Sequence, residues 1–186
     1  MDMTVRQRAD WITTFRYISV YLMETLARWV PTTAEMEVKL LFGRHLWDFA
    51  QHADAFGKRA SALRVARHTS RPPAKGFERA LQRFAEAASA ADRVDALYDG
   101  LMPALTELYR GYVEQADHLM DESSVRILER ALADFERMRR ERDALRQEVP
   151  AIVAEDRTFV DEVRSLAATD DVVDYRPTRQ PRQAAP

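Results

Sequence analysis

Trp11, Phe15, Ile18, Leu22, Thr25 and Trp29 follow one another at alternating steps of four and three. That spacing lays all six along one face of a helix, and a helix with one apolar face must bury it against another element. Pro31 ends this first helix. Thr32 or Thr33 offers a cap for a second, with Glu35 and Glu37 in its first turn, where carboxylates suit the helix dipole. Met36, Leu40, Gly43, Trp47 and Ala50 repeat the four-three spacing and read as the inward face of this helix, which runs to about Arg64. The short turn makes the two helices antiparallel neighbours.

The pattern fails from Val65 to Gly76, where Arg71-Pro72-Pro73 breaks any helix. A further helix follows from Phe77 to about Ala90, and Gly100 and Pro103 punctuate the chain after it. Leu101, Leu105, Leu108, Tyr112 and Leu119 mark a third long helix. Asp121 caps a fourth, with Val125, Leu128, Leu132, Phe135 and Met138 in its core stripe, and Arg137 to Glu148 reads as a solvated charged face. Pro150 interrupts, and Ile152 to Leu166 forms a short last helix with Phe159, Val163 and Leu166 inward. Residues 1–168 thus read as one helical domain, and 169–186, rich in Pro, Gln, Arg and Asp, as a disordered C-terminal tail.

Composition agrees with an all-α chain. There are 186 residues, enough for one substantial core, only 5 Gly, and no alternating Val/Ile/Thr runs. With Lys+Arg 28 against Asp+Glu 30 the net charge is -2, which gives no bulk attraction to nucleic acid. No segment approaches the ~20 apolar residues of a membrane span, and Met1 to Asp10 is polar, so the chain is read as cytoplasmic with no membrane partner. Zero cysteines remove disulfides, thiolate metal sites and a Cys nucleophile, leaving His and carboxylates as the strong metal ligands. Glycine-rich phosphate loops, nucleophile elbows and dinucleotide fingerprints are missing as well.

Four long amphipathic helices, a short turn after the first, about 27 residues of broken connection after the second and a short turn after the third describe a bundle with one long crossover. From about Trp11 to Glu148 the chain resembles the ferritin-like four-helix-bundle superfamily. The run Asp121-Glu122-Ser123-Ser124-Val125-Arg126-Ile127-Leu128 looks like the helix-four entry of some of its uncharacterised bacterial members. The resemblance implies a metal centre between the helices, built in its di-iron members from two Glu and two Glu-x-x-His pairs. This chain has no Glu-x-x-His, and Phe135 and Met138 occupy the corresponding slots on the fourth helix.

Polar residues nonetheless interrupt the apolar helices: His45, Asp48 and His52 on the second, Glu107, Glu114 and His118 on the third. Buried acids and imidazoles are costly unless they are paired or bind a metal. His45 and His52 stand ~10 Å apart along their helix, too far for one ion, but Asp48 reaches either of them. Counting from the turns permits a central cluster of Glu24, His45, Asp48 and Glu107, with Tyr21 beside it and Tyr17 also at that level, while Glu114 and His118 approach the far end with His52. The expected function is a metal-dependent oxidase or oxygenase acting on a small molecule, with iron or manganese in a mononuclear or degenerate site. Glu24, His45, Asp48, His52 and Glu107 are its candidate ligands, and His45, Asp48 and Tyr21 its candidate catalytic residues. Two alternatives stand beside it. One is metal-free acid/base catalysis in the same pocket; the other is a non-catalytic bundle that binds a partner or forms a homodimer through the charged fourth helix and the tail.

Overall fold

Thr4 opens the first helix, α1 (Val5–Thr32): its hydroxyl accepts from the Gln7 N–H while the Gln7 side chain takes the Thr4 N–H, a reciprocal cap. The computed structural model describes residues 3–169 and 171–173, which are all-helical with no strand among them. Pro31 lies inside the last turn of α1, where few helical bonds remain to be broken. Next comes α2 (Met36–Ala62), whose cap position is Glu35; Thr33, expected to cap it, instead bonds back to the Trp29 carbonyl at 2.9 Å.

On α2 the structure reverses the expected face. The buried residues are Val38, Leu41, Phe42, His45, Phe49, His52 and Phe56, while Met36, Leu40 and Trp47 are exposed. Both sets have four-three spacing and they are offset by two residues, roughly 200° around the helix, so α2 carries two apolar stripes. The stripe with three phenylalanines has more area to bury and goes inside.

After α2 come α3 (Lys75–Ala85) and α4 (Ala90–Asp95), the latter capped by Ser89. Gly100 and Pro103 do not break the chain as expected. A π-helical stretch, Ala96–Leu101, joins α4 to α5 (Met102–Gln115) in one continuous helix. The cause is local: Pro103 has no N–H and its ring displaces the carbonyl four residues earlier, that of Asp99, which the wider turn accommodates. Arg164 takes that freed carbonyl, Nε donating at 2.9 Å. Leu119, expected inside the third long helix, lies beyond α5 and is exposed.

The last long helix is α6 (Glu122–Glu148), followed by a 3₁₀ turn, Pro150–Ile152, and α7 (Thr158–Ala167). The charged end of α6 is less solvated than its composition implies, since Arg142 and Leu145 are buried. On α7, Val160, Val163 and Ala167 face inward and Phe159 lies half-buried under the Arg83 guanidinium. The packed chain also continues past 168: Val172 and Val173 are buried, and the Val172 carbonyl accepts from the Ala74 N–H at 2.8 Å. The rest of the expected tail, 170 and 174–186, lies outside the described residues.

Packing is most extensive between α1 and α2, with α2 against α6, α5 against α6, and α7 against α3 and the π-helical stretch. Phe15, Phe56, Tyr109 and Phe135 pack ring against ring through the centre, Phe15 edge-on to Tyr109 with centroids 4.9 Å apart and Tyr109 stacked on Phe135. Gly57 is required where it stands: a Cβ there would sit 2.8 Å from the Arg67 backbone oxygen of the loop laid over α2.

Candidate functional site

Where α2 runs against α6 the interface is polar along a line. His45 is fully buried; its Nδ1 meets the Tyr98 hydroxyl and its Nε2 lies 3.1 Å from Glu141 Oε2. A carboxylate can only accept, so Nε2 carries the proton and the Tyr98 O–H donates to Nδ1. Burial lowers the His45 pKa below its ordinary 6.5 although Glu141 pulls the other way, so the imidazole is neutral at pH 7. Burial likewise pushes the Tyr98 hydroxyl well above 10.0.

Seven residues further along α2 the arrangement repeats, with His52 Nε2 at 3.0 Å from Asp134 Oδ2. Arg137 bridges the two levels. It donates to Glu141 Oε1 at 3.0 Å and Asp134 Oδ1 at 3.1 Å, and lies 2.8 Å from Asp48 Oδ2. Burial opposes ionisation of Glu141, but the Arg137 and His45 hydrogen bonds outweigh it and hold the carboxyl below its ordinary range; for Asp134 the His52 bond is the main cause of the same effect. The result is a ladder of imidazole, acid, guanidinium, acid and imidazole that fixes α2 antiparallel to α6 in one register.

The nominated residues therefore separate. His45, Asp48 and His52 belong to the ladder, but Glu24 and Glu107 do not. Glu24 is exposed on α1 between the buried Leu22 and Leu26, and Glu107 is 76% exposed, pairing with Arg110 at 3.3 Å. The reason is the helical angle: Glu107 lies two residues from the buried Leu105 and Tyr109, so it points to the opposite side. Tyr21 is half-buried and stacked on Tyr17, and the hydroxyl on His45 is that of Tyr98. Glu114 and His118 are both exposed. Among the described residues, no three His, Asp or Glu side chains are grouped to hold a metal ion. The nominated ligand set thus does not fit iron or manganese.

A second acid–guanidinium cluster lies at the junction of α4 and the π-helical stretch. Asp95, fully buried, accepts from Arg146, from Arg157 at 3.1 Å and from the Ala154 N–H at 3.1 Å. Asp99 accepts from Arg142 at 2.6 Å, Arg146 at 2.9 Å and Arg157 at 3.2 Å. Burial resists ionisation of Asp99, but the Arg146 and Arg142 bonds win and bring its pKa to about 2. A third buried acid, Asp121, receives Arg59 at 2.7 Å, Tyr112 and Ser124, so the residue expected as a cap is the hub that fixes the start of α6.

Tyr98, Asp134, Arg137 and Glu141 were missed in the sequence, yet a signal existed. Asp134 and Glu141 stand seven residues apart, as do His45 and His52, and antiparallel helices match equal spacings.

The outer face of α2 borders the ladder at Asp48 and Arg137, which line a shallow groove there. Met36, Leu40 and Trp47 are 59%, 61% and 64% exposed, and they line the same groove with Lys39, Gly43 and Arg44. No atom lies within 4 Å of where a Gly43 Cβ would be. Comparison of the chain with protein-family models, curated proteins and solved structures found no match.

Proposed function

We propose that this chain is a non-catalytic helical-bundle module, ferritin-like in arrangement, that works by pairing with a second copy of itself through the outer face of α2. The carrying observation is the exposed stripe Met36, Leu40, Gly43 and Trp47, a second apolar face that the fold leaves uncovered. The ferritin-like arrangement rests on short turns after α1 and α5, the long crossover 63–89, and the antiparallel pairing of α2 with α6. No helix among the described residues is long and apolar enough to cross a membrane.

The stripe is self-complementary. Two α2 helices crossing antiparallel at Gly43 approach closely there because neither carries a Cβ, and Lys39 of one copy then lies opposite Trp47 of the other, a cation–π pairing. Burial contributes about 1.5–3 kcal/mol for each large apolar side chain, with six such side chains across the two copies. That gain is set against an association cost of about 4–15 kcal/mol, so the contact is a weak, reversible one that forms only as concentration rises. The charged face of α6, the earlier candidate for this contact, is occupied by intramolecular ion pairs.

Sedimentation velocity over a concentration series tests the reading. The native chain is expected to pass from monomer to dimer, and Trp47→Glu to remain monomeric with an unchanged circular dichroism spectrum. A native chain that stays monomeric to about 100 µM, or a Trp47→Glu variant that still dimerises, defeats it.

A further inference from the structure

A cavity of about 490 Å³ opens between α3, α5, α6 and α7 and shares no lining residue with the groove on the outer face of α2. Phe77, Leu108 and Val172 provide apolar lining, and the guanidinium-bearing residues Arg110, Arg139 and Arg164 also line it. The volume lies in the range of ligand sites, about 300–1,000 Å³, which typically pair an apolar lining with a few convergent polar groups.

The balance of charge indicates what such a site accepts. Three arginines line the cavity against one acid, Glu107, which accepts from Arg110 at 3.3 Å and is 76% exposed. Arg110 and Arg139 share Glu136 outside the lining, Arg110 at a loose 3.7 Å. Arg164 is held in place by donating Nε to the Asp99 carbonyl that the π-helical stretch frees, and its one acidic neighbour, Asp161, is 3.6 Å away. Its position is set by that backbone bond, and Asp161 is a loose counter-charge that leaves the Nη2 end of the guanidinium open. Guanidinium groups on an apolar recess suit a ligand with a carboxylate head and a hydrocarbon body.

We infer that this cavity binds an amphiphilic carboxylate, of the class of medium-chain alkyl carboxylates, with its head at Arg110 and Arg164 and its chain over Phe77, Leu108 and Val172. The site is independent of self-association through α2.

Isothermal titration of the full chain with decanoate tests this, with decanol and acetate as comparison ligands. One decanoate per chain is expected. Decanol should bind at least about tenfold more weakly for want of the charged hydrogen bonds, and acetate should show no saturable binding. Leu108→Trp narrows the apolar part of the cavity and should weaken the decanoate isotherm by at least about tenfold. Arg110→Glu, at a solvent-exposed position that does not threaten folding, should weaken it by at least about tenfold. Absence of saturation by decanoate, equal binding of decanol, or full binding by Arg110→Glu each overturns the proposal.

Discussion

Replacing Tyr98 by Phe removes one oxygen from the centre of the protein and leaves the Nδ1 of a fully buried imidazole without a donor. An orphaned buried acceptor costs about 1–3 kcal/mol. His45→Leu is the mirror experiment. It strands the Tyr98 hydroxyl, which is equally buried, at a similar cost, while Glu141 keeps Arg137 and partial contact with water. The double variant carries neither polar atom, so it should be less destabilised than the sum of the singles by about 1–3 kcal/mol. Against a typical total stability of about 5–15 kcal/mol, each single change is visible as a lower urea midpoint at unchanged slope. A double-mutant cycle on urea unfolding at pH 8 measures the coupling. Additivity within about 0.5 kcal/mol would show that the two groups do not depend on one another, and the ladder would lose its role as the structural link between α2 and α6.

Two further outcomes follow from the same clusters. The His45 pKa is lower in the fold than its ordinary 6.5, so the unfolded chain takes up the proton first; stability should be fullest above pH 6.5, fall as pH drops from there toward the folded pKa, and lose that slope in His45→Leu. A second loss should appear at lower pH, between the ordinary 3.8 of Asp99 and its folded value of about 2, and unfolding midpoints across a pH series read both. Asp95→Ala leaves Arg146 and Arg157 short of a buried counter-charge and should cost about 3–5 kcal/mol, with hydrogen exchange across 150–167 speeding up because Asp95 also holds the Ala154 N–H. A cost below about 1 kcal/mol with unaltered exchange would contradict that account.

Helix class and the placing of α1, α2 and α6 were legible because amphipathic periodicity is a local property, printed every three to four residues. The path around Pro103 was not. Whether a proline ends a helix or is absorbed by a wider turn depends on what donates to the displaced carbonyl, and here that is Arg164, far along the chain. The ladder was half legible: His45, Asp48 and His52 stood out as polar residues on an apolar helix, but their partners were sought on α1 and α5 and lie on α6 and, for Tyr98, in the π-helical stretch. Glu107 and Glu24 entered the candidate centre by level along the bundle, and level alone does not give direction around a helix.

The amino-acid order by itself determined that this chain is all-helical, with apolar faces long enough to bury one another and no thiolate chemistry. It could not determine which of two apolar stripes on α2 turns inward, because Met36–Leu40–Gly43–Trp47 and Phe42–His45–Phe49–His52 have the same period and differ only in phase. Phase is decided by the neighbours. The structure turns His45 and His52 toward Glu141 and Asp134, each of which pairs with an imidazole Nε2, and leaves Trp47 in water. A buried imidazole is tolerable only where a partner meets it, and for His45 and His52 that partner comes from another helix, a pairing that exists in three dimensions alone.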